Sequence, residues 1–237
     1  MSDIFNIIKK ALRSNSFYIP SSKTVVNGCS LNVKQFNSLL ELKTNTEFGF
    51  EQYIKYSILS DNIIAENLDS TANILKTDKP FILTQIKMVQ DNEFLGLSLQ
   101  DYVQGLKEKT ENLPIHSYSS EVKIGDLAIN FKSIAFEKSK TITKEFFESL
   151  NGDFTNTSDI VTLELFKHLN SITYGDKTLD SFDVKTLKEI IDSLPATTIE
   201  TFNDIFKRIN DDTRTINTFN IKEQNFVFNP TLEFMLL

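Results

Sequence analysis

Leu163-Glu164-Leu165-Phe166-Lys167-His168-Leu169-Asn170-Ser171-Ile172, followed by the turn Gly175-Asp176-Lys177, sets the reading of this chain. Its apolar spacing predicts a helix capped by Ser158 and running through Asn170. Leu163, Phe166 and Leu169 then face inward, with Glu164 and Lys167 outside. Ile172–Tyr174 and Lys177–Leu179 flank Gly175-Asp176 as a small hairpin. Two further helices follow, Val184–Ser193 capped by Ser181 or Asp183, and Ile199–Asn210 capped by Thr197 or Thr198. Leu194-Pro195 separates them, because proline cannot continue the first. Thr215–Ile221 and Phe226–Phe228 alternate as terminal strands. The order is helix, hairpin, helix, helix, two strands.

Upstream, the period changes to two between Pro114 and Phe136. Val122 and Ile124 face Leu127, Ile129 and Phe131 across Gly125-Asp126, a hairpin signal. The N-terminal half reads differently. Phe17–Ile19 and Thr24–Val26 are short strands about a Pro20-Ser21-Ser22 turn. Helices are expected over Val33–Leu42, capped by Asn32, and over Phe48–Ile64. Another starts at Asp78-Lys79-Pro80 and carries Phe81, Leu83, Ile86, Met88 and Val89. Leu95–Lys109 reads as a partial helix, and 151–158 as a loop. The fold class is therefore α+β, with a mostly helical N-terminal half. The C-terminal half is mixed, with short antiparallel hairpins and terminal strands. The expected division falls near 107–119, giving a helical region 1–110 and a mixed region 111–237.

The chain has 237 residues and is 40% hydrophobic, enough for a real core. Twenty Phe and no Trp make that core one of Phe, Leu and Ile. A net charge of −7 argues against general nucleic-acid binding, which needs a basic surface. Lys9, Lys10 and Arg13 form a small basic stripe, read as a solvated helix end, since three charges bind phosphates weakly at cellular salt. No stretch approaches the ~20 apolar residues of a membrane span, and the N-terminal residues show no leader pattern. A cytosolic site of synthesis is expected, with neither nucleic acid nor membrane as partner.

Catalytic signatures are missing. Seven scattered glycines make no phosphate loop, and there is no nucleophile elbow or His-Glu-x-x-His. The single cysteine, Cys29, reads as a small buried hydrophobe. A nucleophilic role would want a nearby His, and neither His116 nor His168 sits in a recognised pattern. Asp211-Asp212 and Glu145/Glu148 are carboxylate clusters in polar surroundings, read as solvated faces. With one Cys and two His, structural zinc is not expected, nor is any other cofactor.

The closing segment Phe226–Leu237 is unusually apolar. Each large side chain left in water forfeits about 1.5–3 kcal/mol relative to burial. Two readings compete: the last strand of the chain's own sheet, or strand addition to another subunit. Ile4, Phe5, Ile7, Ile8, Ala11 and Leu12 have helical spacing and pose the same choice, own body or partner. The expected interface residues are Ile4, Phe5, Ile8, Phe226, Phe228, Phe234 and Leu236. On that reading, removal of Glu233–Leu237 leaves a folded chain that fails to assemble.

Phe17-Tyr18-Ile19-Pro20-Ser21-Ser22, the helix Val33–Leu42, Leu165-Phe166-Lys167-His168-Leu169-Asn170-Ser171-Ile172-Thr173, Ile190-Ile191-Asp192-Ser193-Leu194-Pro195 and the closing Phe226–Leu237 carry a family likeness. In order and length the chain resembles the baseplate hub subunits of T-even-like contractile-tailed bacteriophages. The abundance of Asn, Ile and Lys suits an AT-rich viral genome. The resemblance implies a structural virion protein without enzymatic activity, made in the host cytoplasm and built into the tail baseplate. It implies partners among other tail or baseplate proteins, copies of this chain included. Hub-related proteins often carry a Cys pair before the final apolar strand, like a small zinc ribbon. Asn220-Ile221-Lys222-Glu223-Gln224-Asn225 has none, so no zinc is carried over. Two alternatives stand beside this reading. One is an assembly chaperone for a hub or tape-measure protein, absent from the mature particle. The other is a small cytosolic hydrolase using Glu145 or Asp211.

Overall fold

The computed structural model describes residues 15–45, 49–69, 73–91, 93–112, 119–150, 158–180 and 183–237. The expected N-terminal interface residues Ile4, Phe5 and Ile8, the basic stripe and His116 lie outside these residues.

The chain opens with a hairpin, β1 (Asn15–Ile19) and β2 (Thr24–Gly28), paired so that Phe17 faces Val26. Helix α1 (Val33–Asn45) follows, entered through a reciprocal bond between Asn32 and Gln35. Helix α2 (Phe50–Asn67) lies against it. A 3-10 turn, Lys76–Asp78, leads into α3 (Lys79–Asp91), with Pro80 in the tolerant first turn. A two-residue-per-strand hairpin, β3 (Glu93–Phe94) and β4 (Leu97–Ser98), precedes α4 (Leu99–Asn112).

The second half builds an antiparallel four-stranded sheet in sequence order. It comprises β5 (Ser119–Ile124), β6 (Leu127–Lys132), β7 (Leu169–Tyr174) and β8 (Lys177–Leu179). Helices α5 (Phe136–Ser149) and α6 (Ser158–His168) connect its second and third strands. Then come α7 (Val184–Asp192), capped by the Asp183 carboxylate, and α8 (Ala196–Ile216). The chain closes with the hairpin β9 (Thr218–Ile221) and β10 (Gln224–Val227) and the short helix α9 (Leu232–Leu236). The α+β class and the hairpins about Gly125-Asp126 and Gly175-Asp176 are as the sequence reading has them.

Four corrections follow. The helix of the quoted segment ends at His168, and Leu169 begins a strand because it pairs with Phe131 across a register shift in β6. Helix α5 has no counterpart in the periodicity reading. Its inward face carries Ser139 and Thr143 between Phe136 and Phe146, which dilutes the apolar signal. The closing residues Leu232–Leu236 form a helix rather than a strand, with the Thr231 hydroxyl accepting from the Phe234 amide.

The fourth concerns domains. Among the described residues two hydrophobic cores form, and they do not divide near 110. The first joins β1, α1, the C-terminal half of α2, α3 and α4 to Ile216, Phe219, Phe228, Leu232, Phe234 and Met235. The second joins Phe50 and Ile54 of α2 to the four-stranded sheet, α5, α6, α7 and Phe202. Helices α2 and α8 contribute to both, so each runs through the boundary between the cores.

Candidate functional site

A partly buried cluster of charged side chains lies where the two cores meet. Tyr53, Ser57 and Asp61 stand four residues apart on α2 and so share one face. Lys76 and Lys79 come from the 3-10 turn and the start of α3. Glu164, Lys167 and His168, at positions i, i+3 and i+4, come from α6.

Glu164 is the hub of the network. It pairs with Lys76 through one carboxylate oxygen and with Lys167 through the other, at 3.1 Å. The Tyr53 hydroxyl also donates to it, at 3.3 Å. Lys76 extends its ammonium to His168 Nε2 at 2.9 Å. Lys79 donates to Asp61 Oδ1 at 2.6 Å, to the Ser57 carbonyl at 3.1 Å and to the Ser57 hydroxyl at 3.3 Å. Lys167 and His168 are only 3% exposed. This overturns the expectation that Lys167 faces solvent, and Glu164 is half-buried rather than outside. Leu163, Leu165 and Phe166 are buried beside them.

The electrostatics follow from burial and charge neighbours. Burial pushes the Glu164 carboxyl up, but Lys167 and Lys76 outweigh it and hold its pKa well below the carboxylate range. Burial, then Lys76, pushes His168 far below its ordinary value. His168 is therefore neutral, with Nε2 as the acceptor and the proton on Nδ1. Burial also lowers Lys76 and Lys79, against the opposing pull of Glu164 and Asp61. Burial and then the Glu164 charge raise Tyr53, which stays a donor.

The cluster forms one wall of a cavity of about 490 Å³. Its other walls include Gln52, Tyr56, Pro80, Leu83, Phe136 and Leu232, with Glu233 exposed at the rim. The Tyr56 hydroxyl donates to the Pro230 carbonyl and so closes the tail over this space. Burial and then Glu233 raise the Tyr56 pKa. A second cavity of about 360 Å³ adjoins on the His168 side, sharing Tyr53, Lys76 and Glu164.

The residues singled out from sequence are placed elsewhere. Phe228, only 2% exposed, lies among the rings of Phe94, Tyr102, Phe219 and Phe234, 5.4 Å from Tyr102 between centroids. Phe234 is likewise buried, 5.2 Å from Phe94. Both are core side chains of this chain, which corrects their expected place on a docking surface. Phe226 and Leu236 are half-buried on the same core. Asp211 and Asp212 are exposed on α8. Glu145 and Glu148 are exposed on α5, with Glu145 at the edge of a separate cavity. Cys29 is half-buried, its thiol donating to the Asn67 carbonyl at 3.6 Å. Among the described residues no group of three or more His, Cys, Asp and Glu side chains could hold a metal ion, and no helix is long and apolar enough to cross a membrane. The sequence signal for the cluster was the Glu164, Lys167, His168 triplet interleaved with the apolar Leu163, Leu165 and Phe166.

Comparison of the chain with models of known protein families, with curated proteins and with solved structures gives no match.

Proposed function

We propose that this chain is a structural, non-enzymatic component of a phage tail baseplate hub, made in the host cytoplasm and retained in the virion. The reading starts from the family resemblance of its segments. One structural observation supports it: the resembling segments at opposite ends of the sequence pack into a single core. Phe17, Tyr18 and Ile19 of the opening hairpin, Leu39 and Leu42 of α1, and Phe228, Leu232, Phe234 and Met235 of the closing segment share that core. Three of the five resembling segments thus share one core, while Leu165, Phe166, Leu169, Ile172 and Ile191 of the other two belong to the second.

The assembly surface on this reading cannot be Phe228 and Phe234, which are occupied internally. Val33 and Leu40, seven residues apart on one face of α1, remain exposed, as does Leu237. Quantitative mass spectrometry of purified mature particles tests the proposal. A fixed number of copies per tail is expected. Presence in assembly intermediates with loss from finished particles would replace it with the chaperone reading. Absence from both would end it.

A further inference from the structure

Helix α1 carries more apolar surface than the first core uses. A surface helix ordinarily turns one apolar stripe inward and a polar face outward. Leu39 and Leu42 fill the first core in this way. At about 100° per residue the apolar arc runs on from them through Phe36 and Leu40 to Val33, about half the circumference of the helix. Phe36 is half-buried, while Leu40 and Val33 are 39% and 76% exposed. Lys34 and Glu41, themselves seven residues apart, keep to the other flank.

The start of this stripe lies close to the first described residue. Asn15 pairs with Gly28 at the open end of the first hairpin, and Gly28 bridges to Leu68 just past α2. The first turn of α1 is fixed to the same place. There the Gln35 side-chain amide donates to Glu66 Oε2 and to Asn67 Oδ1, each at 2.9 Å. Asp69 is held there too, its N–H donating to the Asn27 carbonyl at 3.0 Å. Two carboxylates, Glu66 and Asp69, thus stand where the chain enters β1. The segment that arrives there carries Lys9, Lys10 and Arg13 just ahead of Asn15. Before them it has the helical apolar spacing of Ile4, Phe5, Ile8 and Leu12. As a helix, Ile4–Leu12 would be about 14 Å long, against about 11 Å from Val33 to Leu40.

We propose that the N-terminal segment Ile4–Leu12 of this same chain packs antiparallel along the Val33, Phe36 and Leu40 stripe of α1, with Lys9, Lys10 and Arg13 set against Glu66 and Asp69. Three observations select this occupant: the place where the described chain begins, the matching length and the opposite charges at one end. Tethering favours the chain's own segment over that of a second copy, because a short link holds it at an effective concentration of order millimolar. The inference concerns the free chain and is independent of the baseplate reading. A partner that used Val33 and Leu40 would first have to displace the segment.

Hydrogen–deuterium exchange of the full chain, read by mass spectrometry at low and high protein concentration, tests it. Backbone amides within Ile4–Leu12 are expected to exchange at least tenfold more slowly than the same amides in Leu40→Glu, equally at both concentrations. Leu40→Glu changes an exposed position, and exchange in β1 and α3 checks in the same experiment that the body is intact. Val33→Glu, at the other end of the stripe, should act alike and serves if Leu40→Glu disturbs the body. Trypsin should also cut either variant after Lys10 and Arg13 at least tenfold faster than the natural chain. Rapid exchange of Ile4–Leu12 in the natural chain would overturn the proposal. So would protection that survives both substitutions, since the segment would then lie elsewhere. Protection found only at high concentration would overturn it in favour of a second copy.

Discussion

Lys76 Nζ and His168 Nε2 lie 2.9 Å apart although 92 residues separate them in sequence. The contact joins the 3-10 turn leading into α3, whose apolar residues fill the first core, to the end of α6, whose apolar residues fill the second. Glu164 bridges the same pair of elements. The two cores are therefore stitched by charge as well as by the through-running helices α2 and α8. Buried ion pairs seldom add net stability over an apolar replacement, because desolvation offsets their attraction. Removing one partner is another matter, since the remaining charge stays buried alone.

Glu164→Gln leaves Lys76 and Lys167 without their shared carboxylate. Roughly 3–5 kcal/mol of stability should be lost at pH 7, read from urea denaturation. The pH dependence has a definite sign. The folded pKa of Glu164 is depressed, so its contribution is complete above the unfolded value of about 4.3 and is lost as pH falls below it. The gap between the natural chain and the variant should thus narrow between pH 5 and pH 3. A gap that stays constant would show that the carboxylate charge is not what holds the two lysines.

His168 is neutral in the folded chain because burial and Lys76 depress its pKa. Below about pH 6.5 the unfolded chain takes up a proton there and the folded chain does not. Stability should therefore fall with decreasing pH, by up to about 1.4 kcal/mol per pH unit from this group. His168→Asn should flatten the slope between pH 6.5 and pH 5, with His116 common to both chains. Identical slopes would mean that His168 titrates alike folded and unfolded.

Gly105 sits within α4, where Ala normally stabilises a helix by about 0.8–1.0 kcal/mol over Gly. Here an added Cβ would stand 2.5 Å from the Phe219 ring. That ring is fixed by Tyr102 at 4.8 Å and Phe228 at 5.7 Å, and Lys109 lies over it. The sign should reverse, with Gly105→Ala costing about 1–3 kcal/mol. A rise in melting temperature would show that β9 can shift away from α4 without loss.

Phe234 and Met235 anchor α9 in the first core. Phe234→Ala should cost roughly 3–5 kcal/mol, and deletion of Glu233–Leu237 should cost more. The truncated chain is now expected to lose the packing around Phe94 and Phe228 rather than to fold normally and fail only in assembly. Tyrosine near-ultraviolet dichroism and a denaturation midpoint would read this directly. Native stability in the truncated chain would return the tail to the role of a free docking segment.

Local signals in the sequence determined a good part of this molecule. Asn32 and Gln35, Pro80, and the Gly125-Asp126 and Gly175-Asp176 turns act over a few residues, and their effect is a matter of backbone geometry and near-neighbour bonds. The α+β class came from these and from periodicity. The hairpins about Leu95-Gly96 and Lys222-Glu223 were harder to read, because Leu95, Lys222 and Glu223 take the left-handed conformations usually left to Gly or Asn. Helix α5 was hidden by Ser139 and Thr143 on its buried face. Only the tertiary structure decided the rest. It turned Leu169 into a strand by pairing it with Phe131, and it folded the closing residues back onto the first core. It buried Lys167 and His168, half-buried Glu164, and brought Lys76 and Tyr53 to them from far along the chain. Helical spacing reports which side chains share a face. Whether that face meets water or a complementary set of charges depends on contacts between distant segments, and no local pattern encodes those.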